Sequence, residues 1–270
     1  MSTAAAPIEI AQVVLTVHDL SAMTAFYENA LGLSRLGEEA MVARLGAGDR
    51  ALLELRQDQA ARRAGPREAG LFHTAFLLPD RVALGRWLQH AIATELTLQG
   101  ASDHLVSEAI YLSDPEGNGI EVYADRPRAT WHDADGAIRL ANDPLDLPGL
   151  LQAADTAWTA APSGTVIGHV HLQVGALAEA EAFYGTTLGL PVIARYPGAA
   201  FFGAGGYHHH IATNVWNSRG ATPRSFPATG LTELVLAVAP AERQAIVARG
   251  GADRMVDPWA TPLILTDKSA

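Results

Sequence analysis

Apolar residues in this chain come in short bursts of two kinds. Some are continuous or alternating, as in residues 71–78 and 231–238, and predict strands; others return Ala, Phe, Tyr and Leu at helical spacing and predict helices. The order of these elements repeats. Residues 15–33 (LTVHDLSAMTAFYENALGL) align without a gap with residues 172–190 (LQVGALAEAEAFYGTTLGL), at an offset of 157. Each copy reads as strand, turn and helix, closed by Leu-Gly-Leu, whose Gly suits the residue just past a helix end. Further strands are expected at 41–45 and 51–55 after the first copy, and at 200–202 and 208–213 after the second.

A half-length echo divides each copy again. A strand at 73–78, a helix near 81–91 and strands through Tyr123 form one such unit; a strand at 231–238, a helix near 241–249 and strands through Leu265 form another. Asp114-Pro115 and Asp257-Pro258 mark matching turns. The pattern predicts an α+β protein of four βαβββ modules in two tandem domains, residues 7–127 and 165–268. The intervening residues 128–164, rich in Asp, Pro and Ala, are too many for an ordinary loop and are expected to form a linker holding a short helix over 147–158.

Composition narrows the chemistry. The formal net charge of −10 argues against a nucleic-acid partner, because phosphate contacts need clustered Lys and Arg. The apolar runs are too short to cross a bilayer, and Met-Ser-Thr-Ala-Ala-Ala-Pro at the start carries neither a basic cluster nor an apolar core, so a cytoplasmic location is expected and a membrane partner is not. Association into a homo-oligomer stays open. Cysteine is absent, which excludes disulfides, thiolate nucleophiles and iron–sulfur clusters; any metal must be held by nitrogen and oxygen.

Residues 103–121 are the richest in chemistry: His104, then Tyr111, then the turn Asp114-Pro115-Glu116-Gly117, then Glu121. His73 opens an earlier apolar strand. Imidazoles with a carboxylate suit a divalent metal that keeps positions open for substrate. The stretch resembles the signature of the type I extradiol ring-cleaving dioxygenases, members of the vicinal oxygen chelate superfamily. Every signature position is filled, although Ser102 stands where that family more often has Gly, Asn or an apolar residue.

The resemblance implies curved, cup-like sheets with one metal in a cup made by two facing modules. It also implies two metal-binding His and a carboxylate, an acid/base His, and a His–Tyr pair beside the substrate oxygens. Neither half of the chain holds that set alone. His169 matches the first metal His, and His208-His209-His210-Ile211-Ala212 resembles the strand whose second His, here His209, is the acid/base residue. His73, Glu121, His104 and Tyr111 match the rest. The metal set is therefore His73, Glu121 and His169, the catalytic set is His209, His104 and Tyr111, and the cup must pair module 2 with module 3. The expected metal is Fe(II), with Mn(II) as the alternative, and the expected substrates are a small aromatic diol and dioxygen. On a strand, His208 and His210 would share one face and His209 the other. His171 shares the face of His169 as a reserve ligand or supporting group, and Tyr196, Phe201, Phe202 and Trp216 are candidates to line a pocket for the ring.

Two other readings exist. Gln12, Glu54, His73 and Glu121 resemble the ligand set of some glyoxalase I enzymes, which would place a metal inside the first domain for isomerisation of a thiohemiacetal. Alternatively, the cup could sequester a drug-like ligand without catalysis. His73 alone, on an apolar strand, could equally be a buried His with a structural partner; His18, His90 and His132 read as surface residues.

Overall fold

A computed structural model describes residue 3 and residues 6–268. The first half runs β1 (Ile8–Val17), α1 (Leu20–Leu31), β2 (Ser34–Glu39), β3 (Val42–Ala47), β4 (Arg50–Gln57), β5 (Gly70–Leu78), α2 (Arg81–Ala93), β6 (Leu98–Asp103), β7 (Ser107–Ser113) and β8 (Gly119–Asp125). After α3 (Leu147–Ala153) the second half follows: β9 (Val166–Gln173), α4 (Leu177–Ala180), β10 (Val192–Tyr196), β11 (Ala199–Phe202), β12 (Ile211–Asn214), β13 (Gly230–Val238), α5 (Pro240–Ala248), β14 (Arg254–Val256) and β15 (Pro262–Asp267). Beyond α4 the helix continues over Glu181–Thr187 with the wider π winding.

These strands form two curled sheets, and each sheet takes strands from both halves of the chain. One has the order β14-β15-β13-β1-β4-β3-β2, the other β10-β11-β12-β9-β5-β8-β7-β6. The seams are antiparallel, β1 against β13 and β5 against β9, whereas β1–β4, β5–β8, β9–β12 and β13–β15 are parallel. Module 2 therefore meets module 3, and module 1 meets module 4.

Alternation along the strands sorts side chains to the two faces. In β5 and β8, Phe76, Leu78, Ile120 and Val122 join the main core with α-helical residues such as Met23, Tyr27, Leu84 and Trp87. His73, Ala75, Leu77, Glu121 and Tyr123 lie at the alternate positions, and Ala75, Leu77 and Tyr123 pack in a second cluster with Trp131 and Tyr207. Burial of the first set provides the main stabilisation; it also fixes which residues the concave face displays.

The sequence repeat has a physical counterpart. Tyr27 of α1 donates to Asp114 Oδ2 at 2.9 Å, and Tyr184 donates to Asp257 Oδ2 at 2.7 Å. Each half thus buries a tyrosine against the aspartate of its Asp-Pro turn, tying the helix of one module to the turn of the next. Gly32 takes φ 67° at the end of α1, as the helix stop requires. The helix expected over 147–158 is shorter: Asp146 caps it, and Ala154 turns extended (φ −67°, ψ 128°), leaving Trp158 outside. Likewise, β12 begins at Ile211, so the three histidines expected on a strand precede it in an irregular turn.

Candidate metal centre and active site

Four neighbouring strands assemble the site. Across the β5–β9 seam Ala75 pairs with both Glu121 of β8 and His169 of β9, and His73 pairs with His171. On β7, Tyr111 pairs with Glu121. Registers therefore gather His73, Glu121, His169 and Tyr111 on one concave patch, although they are up to 96 residues apart in sequence. The donor atoms of His73, Glu121 and His169 all lie within 4.8 Å of one another. Glu121 Oε2 is 3.0 Å from His73 Nε2 and 3.2 Å from His169 Nε2.

Gly168 permits this approach. A Cβ there would lie 1.7 Å from the Tyr123 hydroxyl, which sits against His169 Nδ1 at 3.3 Å.

Burial opposes ionisation of Glu121, but His169 and His73 beside it outweigh that penalty and hold its carboxyl well below the usual range. Burial lowers His169 to about 4 against the pull of Glu121. An ionised carboxylate beside a neutral imidazole is the donor state a cation requires. The fit extends to His73: its Nε2 is buried and, though close to Glu121, makes no hydrogen bond. A buried polar nitrogen left without a partner is costly, and a metal at this point would satisfy it.

Beside the cluster opens a cavity of about 700 Å³. Leu71, Phe72, Leu140, Tyr196, Phe201 and Trp216 give it an apolar wall; His104, Tyr111, His171 and His209 give it polar positions. Tyr196, Phe201 and Trp216 thus line the cavity, whereas Phe202 points into the core against Tyr184.

His104 Nδ1 contacts the Ala141 carbonyl at 2.8 Å, and its Nε2 lies 2.6 Å from the Tyr111 hydroxyl. A carbonyl only accepts, so His104 carries a hydrogen on Nδ1; in the tautomer with its one ring hydrogen there, Tyr111 donates to Nε2. Burial, then the Glu121 charge, raises Tyr111 well above the ordinary tyrosine value, so its hydroxyl stays protonated. The His209 ring stands 4.1 Å from that of His169, centre to centre, and burial followed by the neighbouring imidazoles pushes it well below the ordinary histidine value. His208 instead faces Asp125, and His210 packs 5.0 Å from Tyr207.

The profile of the Glyoxalase/Bleomycin resistance protein/Dioxygenase superfamily matches residues 9–122 and 166–256, one stretch in each half. The chain belongs to this superfamily. It is 45% identical over 227 residues to the catechol-2,3-dioxygenase of Bacillus subtilis, an alignment covering 80% of this chain and 78% of that protein. Among solved structures, a Bacillus subtilis protein provisionally assigned as a dioxygenase superposes with a TM-score of 0.66 at 13% identity, covering 97% of this chain and 86% of the other. Glyoxalase I of Zea mays gives 0.59 at 16%, covering 96% and 92%. At these identities the two structures speak for the fold alone.

Within this superfamily member, the second cup is built differently. Glu54 accepts from Arg44 at 2.8 Å and Arg56 at 2.7 Å, and Arg56 reaches Glu233 at 3.2 Å. Gln12 and Glu54 lie in the seven-stranded sheet and His73 and Glu121 in the eight-stranded one, so the glyoxalase-like set does not meet. The segment expected to be a linker with a short helix supplies Ile138 and Leu140 to the cavity and the carbonyl that holds His104. Sequence reasoning gave no role to Tyr123, Asp125 or Tyr207, which surround His169 and His208. The alternation from Glu121 through Tyr123 to Asp125 on one face of β8 was the available signal for two of them; nothing in the spacing marks Tyr207. His171 lines the cavity and meets Asn214 at 3.0 Å, outside the group of three. Among the described residues, no helix is long and apolar enough to cross a membrane.

Proposed function

We propose that this chain is a metal-dependent extradiol dioxygenase that opens a catechol-type ring with dioxygen, and that its metal is Fe(II). The observation that carries the reading is the convergence of His73, Glu121 and His169 at one buried point beside a largely apolar cavity that also presents His209 and the His104–Tyr111 pair. The relative named catechol-2,3-dioxygenase supports it. His73, Glu121 and His169 would hold the ion, two imidazoles and a carboxylate being a donor set suited to ferrous oxygenases, with Mn(II) as the alternative. When bound, the ion supplies Lewis acidity toward the ring hydroxyls and a centre for dioxygen chemistry.

The chain's own residues do the rest. The apolar wall, with Phe72, Phe201 and Trp216, receives the ring and excludes water. His209, neutral at ordinary pH, takes a proton from a substrate hydroxyl. Tyr111, held beside His104, keeps its proton; when substrate enters, its hydroxyl turns that one hydrogen from His104 Nε2 to a substrate oxygen and stabilises negative charge there.

The test combines metal analysis with turnover. Protein loaded with Fe(II) is expected to consume dioxygen with catechol and form an equal amount of ring-opened aldehyde. Absence of oxygen uptake across a panel of substituted catechols, with the metal bound, would refute the reading; conversion of a thiohemiacetal instead would favour the isomerase.

A further inference from the structure

Asp125 ends β8 and His208 turns away from the cavity, so neither has a part in the chemistry above. Both are tied to His209. His208 Nε2 lies 2.9 Å from Asp125 Oδ1, and His208 Nδ1 lies 2.8 Å from His209 Nδ1. The His208 ring is fully buried, with ring centres 4.1 Å from Tyr207 and 5.0 Å from Trp131, which fixes its plane.

The hydrogens on this chain follow from what each atom can do. A carboxylate only accepts. Tyr207 donates to the same Asp125 oxygen, at 3.3 Å. His208 then donates from Nε2, and in the tautomer whose one ring hydrogen lies there it presents a lone pair at Nδ1. Two nitrogens 2.8 Å apart share one hydrogen, so His209 Nδ1 must provide it. That leaves His209 Nε2 bare.

We propose that Asp125 and His208 are positioning residues that lock His209 in its Nδ1–H tautomer, so that the nitrogen left for substrate is a lone pair. The proposal rests on the reading of His209 as the proton acceptor. The reversed tautomer would offer an N–H and could not accept a proton. A misassigned tautomer of this kind is enough to cripple a catalytic histidine whose geometry is otherwise intact.

The experiment uses the full chain with ¹⁵N-labelled histidine and Zn²⁺ as a diamagnetic probe of the metal site. In the unaltered protein, nitrogen shifts should show His209 protonated at Nδ1 and bare at Nε2. In His208→Phe that preference should disappear, and catechol turnover with Fe(II) should fall by roughly 10²-fold, with zinc affinity and KM little changed. His208→Asn, which can place an amide oxygen near the lost Nδ1, should restore the tautomer and much of the turnover. Asp125→Asn, offering an N–H where the carboxylate accepted, is a second variant should His208→Phe fail to fold; it should move His209 toward the Nε2–H form. The lock is overturned if His209 of the unaltered protein carries its hydrogen on Nε2, or if both variants leave its tautomer unchanged. It is also overturned if zinc affinity, KM and turnover decline together, since that pattern reports a structural role. Absence of ring cleavage by the unaltered protein would refute the dioxygenase reading, while the nitrogen shifts would still decide the lock.

Discussion

Replacing Glu121 by Gln should separate what the carboxylate does for the metal from what it does for the fold. Glu121 is only 2% exposed and stands between two imidazoles. A carboxyl held well below its usual range stabilises the native state above that titration, so without metal the nearly isosteric Gln should lower the melting temperature modestly. With metal the variant should suffer. A ligand that binds only the native state stabilises it by RT ln(1 + [L]/Kd), about 2.7 kcal/mol at a hundred times Kd. For a chain of 270 residues each kcal/mol moves the melting temperature by at most roughly 2–4 °C, the range for slightly shorter chains, so Mn(II), which is stable in air, should raise it by roughly 5–11 °C at most. Exchanging a charged ligand for an amide should weaken binding at least as much as losing a supporting partner does, by ~100-fold. At the same metal concentration the gain then falls to about 0.4 kcal/mol, or about 1 °C. Calorimetric melts of both proteins, with and without Mn(II), together with elemental analysis, make the measurement. A full metal-induced shift in Glu121→Gln would refute the assignment of this carboxylate as a ligand. A large drop in the metal-free melting temperature would show that its role is structural.

Three further outcomes are expected. His209→Ala should keep its metal by elemental analysis but lose ~10²-fold or more in turnover, as removal of a general acid/base does; equal loss of metal and activity would make it a ligand. Fragments 1–130 and 160–270 should each be inactive, because the β5–β9 seam divides His73 and Glu121 from His169; their mixture should recover some oxygen uptake if both fold, and activity in one fragment alone would contradict the shared cup. Tyr27→Phe and Tyr184→Phe should each cost about 1.5–3 kcal/mol in denaturant unfolding, the range for a hydrogen bond to a charged group. Burial holds Asp114 and Asp257 above the ordinary carboxylate range while the tyrosine hydroxyls pull them down. Losing a hydroxyl therefore raises the native titration further, so the cost should be full above that titration and shrink as pH falls through it; a cost independent of pH would count against the pairing.

Much of this architecture was legible because it repeats. The 157-residue offset marks α1 and its later copy, and the incomplete ligand set of each half pointed to a cup shared by modules 2 and 3, as the sheet order has it. The convergence of His73, Glu121 and His169 could be anticipated because the signature around Asp114-Pro115 is local. What escaped was non-local. Asp125 meets His208 83 residues away, and Tyr123 meets Tyr207 at 2.7 Å across 84 residues; alternation along β8 puts Tyr123 and Asp125 on the face of Glu121 but names neither partner. The histidine triplet was assigned to faces by strand alternation, yet it precedes β12, and its orientations are set by Asp125, Tyr207 and His169. The covering of the cavity by Leu140 was hidden for a similar reason: a segment of mixed composition gives no hint of where it will lie.

The arginine bridging of Glu54 and Glu233 has a consequence for how this protein can change. Were the two cups made by two identical subunits, any substitution in one would appear in the other, and a cup could not become a brace without the chemistry being lost twice. Covalent joining removes that constraint. One cup can commit its carboxylates to guanidinium partners and serve as a rigid floor, while the other keeps its carboxylate for a cation. The expected stoichiometry is then one ion per polypeptide, and residues on the braced side are free to drift under selection for rigidity alone.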